Sequence, residues 1–76
     1  MSPKLPVVTA RDVARAAQRA GFELHRQKGS HAVFFRHSDG ARVVIPMHPG
    51  KSIKPKTLSG IIEDMGLTPD EFRDML

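Results

Sequence analysis

The feature that most constrains this chain is a change of hydrophobic period after Gly21, followed by two compact turn signals. Beyond that glycine, apolar and polar residues alternate as they do in strands with one buried face. Turns are indicated at residues 28–30 and 38–40, and the third alternating run stops at Pro46. Because these links are too short for a parallel crossover, the three strands are predicted to form an antiparallel meander.

The alternation also assigns side chains to faces. In the first strand it places Phe22 and Leu24 on the buried face, opposite Glu23 and His25. The second strand, predicted over 31–37, presents two sets of side chains. One face carries Ala32, Phe34 and Arg36, and the other carries His31, Val33 and Phe35.

Helical periodicity flanks the strands on both sides. Thr9 predicts an N-cap, with Asp12 three residues later completing an imperfect capping box. The apolar stripe of this first helix consists of Val13, Ala16, Ala17 and Ala20. Gly21 is placed to end the helix in the left-handed conformation.

Two further helices are predicted after the strands. Pro55 suits the first position of a helix whose buried stripe is Leu58, Ile61, Ile62 and Met65. Thr68 and Glu71 form a full capping box that opens a short last helix. That helix offers Phe72 and Met75 to the core, with Leu76 as a further candidate.

The predicted order is therefore α-β-β-β-α with a three-stranded antiparallel sheet and a short C-terminal helix. This is an α+β fold of two layers, with helices on one face of the sheet. The chain has 76 residues, enough for one domain, assigned to 9–76 after a flexible lead-in at 1–8. Since so short a domain has a thin core, chemistry is expected at its surface, which favours a macromolecular substrate.

Composition excludes several classes of protein. The chain has no cysteine, so disulfides and thiolate metal sites are ruled out. It has no apolar run long enough to span a membrane, and residues 1–8 lack the apolar segment of a signal peptide. Its histidines and acids show no HxH or HxxxH spacing. We therefore expect a cytoplasmic protein with no metal site, no small-molecule cofactor and no membrane partner.

Charge is distributed unevenly along the chain. The net charge is +4, and the segment 26–56 contains only one acid, Asp39. The basic residues of that segment are Arg26, Lys28, Arg36, Arg42, Lys51, Lys54 and Lys56. A basic region suits a polyanion such as RNA, but it is equally compatible with a solvated surface.

The stretch best suited to chemistry runs from Lys28 through Gly29 and Ser30 to His31. Histidine can both take and give a proton near neutral pH. RNA supplies its own nucleophile, the 2′-hydroxyl, so its cleavage needs a base, an acid and positive charge near the phosphate. Gly29 would let the phosphate backbone come close. Taken alone, a histidine in a strand is more often an ordinary packed or surface residue, so this pattern does not decide the function.

Several short motifs resemble the HicA toxin family in order and spacing. They are Gly21-Phe22, Gly29-Ser30-His31, Phe34, the run Val44 to His48, Gly50-Lys51, the run Lys54 to Leu58, Ile61-Ile62, the run Gly66 to Thr68, and Glu71-Phe72. The resemblance covers nearly the whole chain from Thr9 onward. Lys56 departs from the pattern, since glycine is common there in the family.

This resemblance implies a fold like that of double-stranded-RNA-binding domains. It implies a metal-independent endoribonuclease, an mRNA interferase, that cleaves mRNA with His31 as the catalytic histidine. It also implies control by a HicB-type antitoxin.

Other residues receive lesser roles. Gly29, Ser30 and His48 are candidate supporting residues, although His48 is equally suited to pinning its own loop. The candidates for binding RNA phosphates are Lys28, Lys51, Lys54 and Lys56, helped by the N-terminus of the second helix. His25 and His37 match no motif and are interpreted as bystanders.

Two other interpretations stay open. A non-catalytic module that binds double-stranded RNA would need no histidine. A pure protein-interaction domain would bind no RNA at all. An assay with purified protein distinguishes the three interpretations. A nuclease cuts RNA, an RNA-binding module only retards it on a gel, and a protein-interaction domain does neither.

Overall fold

A computed structural model describes residues 5–76 of the chain. The first four residues of the predicted lead-in, 1–4, lie outside the described residues. Val8, the last residue of that lead-in, is buried in the core. Its carbonyl accepts a hydrogen bond from the Ile53 N–H at 2.8 Å. The segment before the first helix is thus joined to the segment before the second.

The described residues form three helices and three strands. In chain order these are α1 (Ala10–Arg19), β1 (Glu23–Lys28), β2 (His31–Arg36), β3 (Ala41–Pro46), α2 (Pro55–Asp64) and α3 (Pro69–Asp74). The strands form one antiparallel sheet in the order β1-β2-β3. The predicted α+β class, the α-β-β-β-α order and the short C-terminal helix are all confirmed.

Local side-chain capping explains where α1 and α3 begin. The Thr9 hydroxyl accepts a hydrogen bond from the Asp12 N–H at 3.3 Å, and the Thr9 N–H donates to the Asp12 carboxylate at 3.0 Å. The same pair of bonds joins Thr68 and Glu71 at the start of α3. Both capping boxes are therefore complete, including the one predicted to be imperfect.

The core lies between the helices and one face of the sheet. Helix α1 buries Val13, Ala16 and Ala17, and α2 buries Leu58, Ile61 and Ile62. The sheet contributes Ala32, Phe34, Val43 and Ile45. Phe72 of α3 is also fully buried, whereas Leu76 is exposed. Within residues 5–76, no helix packs on the other face of the sheet.

The prediction that Leu24 is buried is wrong. Leu24 pairs with the buried Phe34 and so lies on the helix side of the sheet, but it is 52% exposed. The position of the helices explains this, because they pack chiefly over β3, at the far side of the sheet. Phe22 is buried but precedes β1. Beyond Leu24, the pairing with β2 shifts register before Arg26, which makes His25 the extra residue of a β-bulge.

Arg36, the last residue of β2, connects the sheet to the helices through hydrogen bonds. Its guanidinium donates to the Ala20 carbonyl at 3.0 Å and to the Met65 carbonyl at 3.2 Å, which are the C-terminal caps of α1 and α2. It lies 4.5 Å from the centre of the Phe22 ring. It also pairs with Asp39 at 2.7 Å. The hydrogen bonds that the Asp39 carboxylate accepts, chiefly from Arg36 and also from the Ala41 N–H, lower the pKa of Asp39 to about 2.

Candidate active site

The turn between β1 and β2 sets the position of His31. Lys28 and His31 face each other across the two strands, and only Gly29 and Ser30 connect them. Gly29 has a φ of 59°, whereas no residue other than glycine among 5–76 has a positive φ. A positive φ at the first of two loop residues only is the type II′ pattern, which glycine favours. The predicted turn is thus an actual hairpin that places Lys28 directly opposite His31.

A shallow hollow surrounds this turn on the open face of the sheet. Its lining residues are Arg26, Lys28, Gly29, Ser30, His31, Val33 and Val44. The His31 side chain is exposed, and no hydrogen bond to its imidazole is found within residues 5–76. An exposed imidazole without a partner is available for proton transfer to a ligand. We call these residues the His31 hollow.

His48 lies elsewhere. It lines a second hollow, beside the N-terminus of α1, with Thr9, Ala10, Arg11, Met47, Pro49 and Gly50. One link connects the two places, because the Met47 N–H donates to the Ser30 carbonyl at 2.5 Å. The loop that carries His48 is therefore fixed to the β1–β2 turn, although His48 does not line the His31 hollow.

The predicted phosphate-binding lysines also divide into two groups. Lys28 lines the His31 hollow. Lys51 is in the loop after β3, Lys54 is the N-cap of α2, and Lys56 is in the first turn of that helix. All three are exposed, and none lines the His31 hollow. The structure thus brings together Lys28, Gly29, Ser30 and His31, and leaves the other predicted residues around this centre.

Arg26 was not among the predicted site residues, yet it lines the His31 hollow. Strict alternation from Phe22 would place Arg26 and Lys28 on the helix side of the sheet. The bulge at His25 reverses the alternation, so that Arg26 pairs with Val33 and Lys28 with His31 on the open face. Arg26 and Lys28 are two residues apart, so strand alternation counted backwards from Lys28 would have placed Arg26 on the same face as that site residue.

Among residues 5–76, no three histidine, aspartate or glutamate side chains come together in a group that could hold a metal ion. No helix in this part of the chain is both long and apolar enough to cross a membrane.

Comparison with known protein families shows which family this chain belongs to. The family model of the HicA toxin of bacterial toxin–antitoxin systems matches residues 10–67. The chain belongs to the HicA toxin family. The match begins with the first residue of α1 and ends before α3, so it includes the complete sheet and the His31 hollow. Comparison with individual curated proteins gives no match.

Membership of this family assigns the chain to the toxins of toxin–antitoxin systems. It also implies a partner, since such a toxin is paired with an antitoxin. The resemblance inferred from the sequence motifs is therefore confirmed.

Proposed function

We propose that this HicA toxin is a metal-independent endoribonuclease that cleaves mRNA, with His31 as its general acid–base residue. The observation that supports this most directly is the hairpin geometry. It presents an exposed imidazole on the open face, with Lys28 directly across the ladder and lining the same hollow. A proton-transfer group and a phosphate-binding cation thus share one hollow beside a glycine.

The chemistry begins with the 2′-hydroxyl of the RNA. Its oxygen attacks the neighbouring phosphorus while its proton passes to a base, and the bond from phosphorus to the 5′-oxygen breaks as that oxygen gains a proton. The products are a 2′,3′-cyclic phosphate and a free 5′-hydroxyl. His31 performs one of the two proton transfers, and the second falls to water or to His48.

Positive charge stabilises the transition state of this reaction. The attacked phosphate gains negative charge in the transition state, and Lys28 and Arg26 are the cations that line the same hollow. Gly29 has no side chain, so the phosphate can approach the turn closely. Lys51, Lys54 and Lys56 are assigned to phosphates farther along the RNA, with the N-terminus of α2 as an additional anion site.

We propose that a HicB-type antitoxin controls this toxin, and the position of the His31 hollow supports this. The hollow is open to solvent, so a partner blocks it simply by covering it. Acidic side chains on that partner would be attracted to the basic residues and would compete with RNA for them. We assign the antitoxin to the surface over His31 and Lys28, and we infer a cytoplasmic location from the proposed action on mRNA.

The test compares wild type with His31→Ala on labelled RNA in the presence of EDTA. We expect the substitution to lower the cleavage rate about 10²- to 10⁴-fold, the usual effect of removing a general acid–base group. Circular dichroism should be unchanged, since the His31 side chain is exposed. His48→Ala, measured beside it, shows whether His48 supplies the second proton transfer.

Two results would overturn the proposal. One is undiminished cleavage by folded His31→Ala. The other is wild-type protein that retards RNA on a gel without cutting it, which would indicate a non-catalytic RNA-binding module.

A further inference from the structure

The open face of the sheet continues beyond His31 along β2. Strand alternation places Val33 and then Phe35 on the same face as His31, with Phe35 about 13 Å away at the usual rise per residue. A further hollow, distinct from the one that His48 lines, lies around Phe35 and is lined by His25, Arg26, Val33, Phe35, His37 and Arg42. Arg26 and Val33 line both hollows, so the two form one continuous track.

An aromatic cluster occupies the far end of this track. The Phe35 ring is half-buried, and its centre lies 4.9 Å from that of His37, with the two planes at 84°. The His25 ring lies 6.3 Å away at 49°. Neither histidine is parallel to Phe35. The result is an aromatic surface on the open face of the sheet, the side that none of the described helices covers.

Cations follow the track at regular intervals. Each open-face residue of β2 has a basic residue directly opposite on a neighbouring strand. The pairs are His31 with Lys28, Val33 with Arg26, and Phe35 with Arg42. Phe35 also has an acid, Glu23, directly opposite it on β1, and the Glu23 carboxylate lies 3.8 Å from the His37 Nε2. A row of cations beside aromatic rings is the arrangement by which proteins bind unpaired nucleic acid.

Resting on the proposed nuclease function, we propose that this track binds unpaired RNA nucleotides next to the cleavage site. One base stacks on Phe35, and the flanking phosphates contact Arg26 and Arg42. Bases within a duplex are stacked on one another and do not offer a free face to a protein ring. The track therefore makes single-stranded RNA the substrate class, in contrast to the duplex that the resemblance to double-stranded-RNA-binding domains would suggest.

The test measures binding separately from cleavage. The probe is a fluorescein-labelled, unstructured all-deoxy strand of about ten nucleotides, within the size range that small single-strand binders cover. It has no 2′-hydroxyl, so the proposed reaction cannot cut it, while its bases still stack. Fluorescence anisotropy gives its Kd for each variant, and the same strand annealed to its complement serves as the duplex control.

Phe35→Ala should weaken binding of the single strand about 5- to 100-fold, the usual value of one stacked base. Phe35→Tyr keeps the ring and should bind like wild type, whereas Phe35→Leu keeps only apolar bulk and should bind like Phe35→Ala. Arg42→Ala should weaken binding more than Arg15→Ala, which removes the same charge from the exposed surface of α1. The duplex should be insensitive to the substitutions at Phe35.

Three results would overturn the proposal. Wild-type affinity in Phe35→Leu would show that the ring is not needed. Equal losses for single strand and duplex would remove the selectivity. Unchanged affinity for the strand in Phe35→Ala, with weakened affinity for the antitoxin, would assign the track to a protein partner. Conversely, Phe35-dependent binding by a protein that cuts no RNA would overturn the nuclease proposal and support the track.

Discussion

Replacing Arg36 with alanine should destabilise the fold severely, although Arg36 lies near the end of a surface hairpin. The substitution removes hydrogen bonds to two helix-terminal carbonyls and a contact with the Phe22 ring. A hydrogen bond from a charged group contributes about 1.5–3 kcal/mol. The Arg36 side chain is 19% exposed, so we take the low end for each of the two bonds. The expected loss in the free energy of unfolding is about 3 kcal/mol, which for a domain of this size lowers Tm by about 12–24 °C.

Urea and thermal unfolding, followed by circular dichroism, measure this loss. Arg36→Lys is the matched variant, because it keeps the charge and most of the stem. A lysine ammonium group lacks the planar fork that reaches both carbonyls, so its stability should be intermediate. Asp39→Asn removes only the exposed partner of Arg36 and should have the smallest effect. An ordinary surface substitution changes the free energy of unfolding by no more than about 0.5 kcal/mol. If Arg36→Ala changes it by no more than this, the guanidinium does not join the helices to the sheet as inferred.

Three other outcomes are expected. Hydrogen bonds from Arg36 lower the pKa of Asp39 to about 2, so the contribution of Asp39 to stability is complete above its unfolded pKa of about 4 and is lost as pH falls towards 2. The urea midpoint of Asp39→Asn should therefore fall less than that of wild type between about pH 4 and pH 2, and identical pH profiles would contradict the assignment. RNA cleavage should persist in EDTA and slow as NaCl rises, because lysine–phosphate contacts release counterions; strong inhibition by EDTA, or cleavage of an all-deoxy strand, speaks against the mechanism. Lys28→Glu should weaken the complex with a HicB-type antitoxin in low salt more than Arg15→Glu does, and equal affinities by calorimetry would exclude masking of the His31 hollow.

Local signals in the sequence predicted most of the fold. Helix caps depend on residues three positions apart, so Thr9 with Asp12 and Thr68 with Glu71 could be recognised without tertiary information. The hairpin that carries His31 is equally local, since a two-residue turn with glycine first specifies its own register. The assignment of His31 to catalysis and the roles of the lysines stay predictions.

What the sequence did not show depends on contacts between distant segments. Leu24 has the right spacing for the core, but the helices that would cover it pack over the other side of the sheet. The bulge at His25 has no glycine or proline to signal it, and it decides which face Arg26 and Lys28 occupy. The aromatic cluster at Phe35 brings together His25 and His37, which match no sequence motif and were therefore interpreted as bystanders.

The outer edge of β1 has a consequence for how copies of this protein behave in solution. A sheet edge with free backbone N–H and C=O groups invites a second strand, and two identical edges tend to aggregate. Here the bulge at His25 interrupts the regular ladder, and Arg26 and Lys28 add two positive charges beside it. A second copy would bring the same charges and the same irregularity to the contact. The edge therefore disfavours self-association while staying accessible to an acidic strand from another protein.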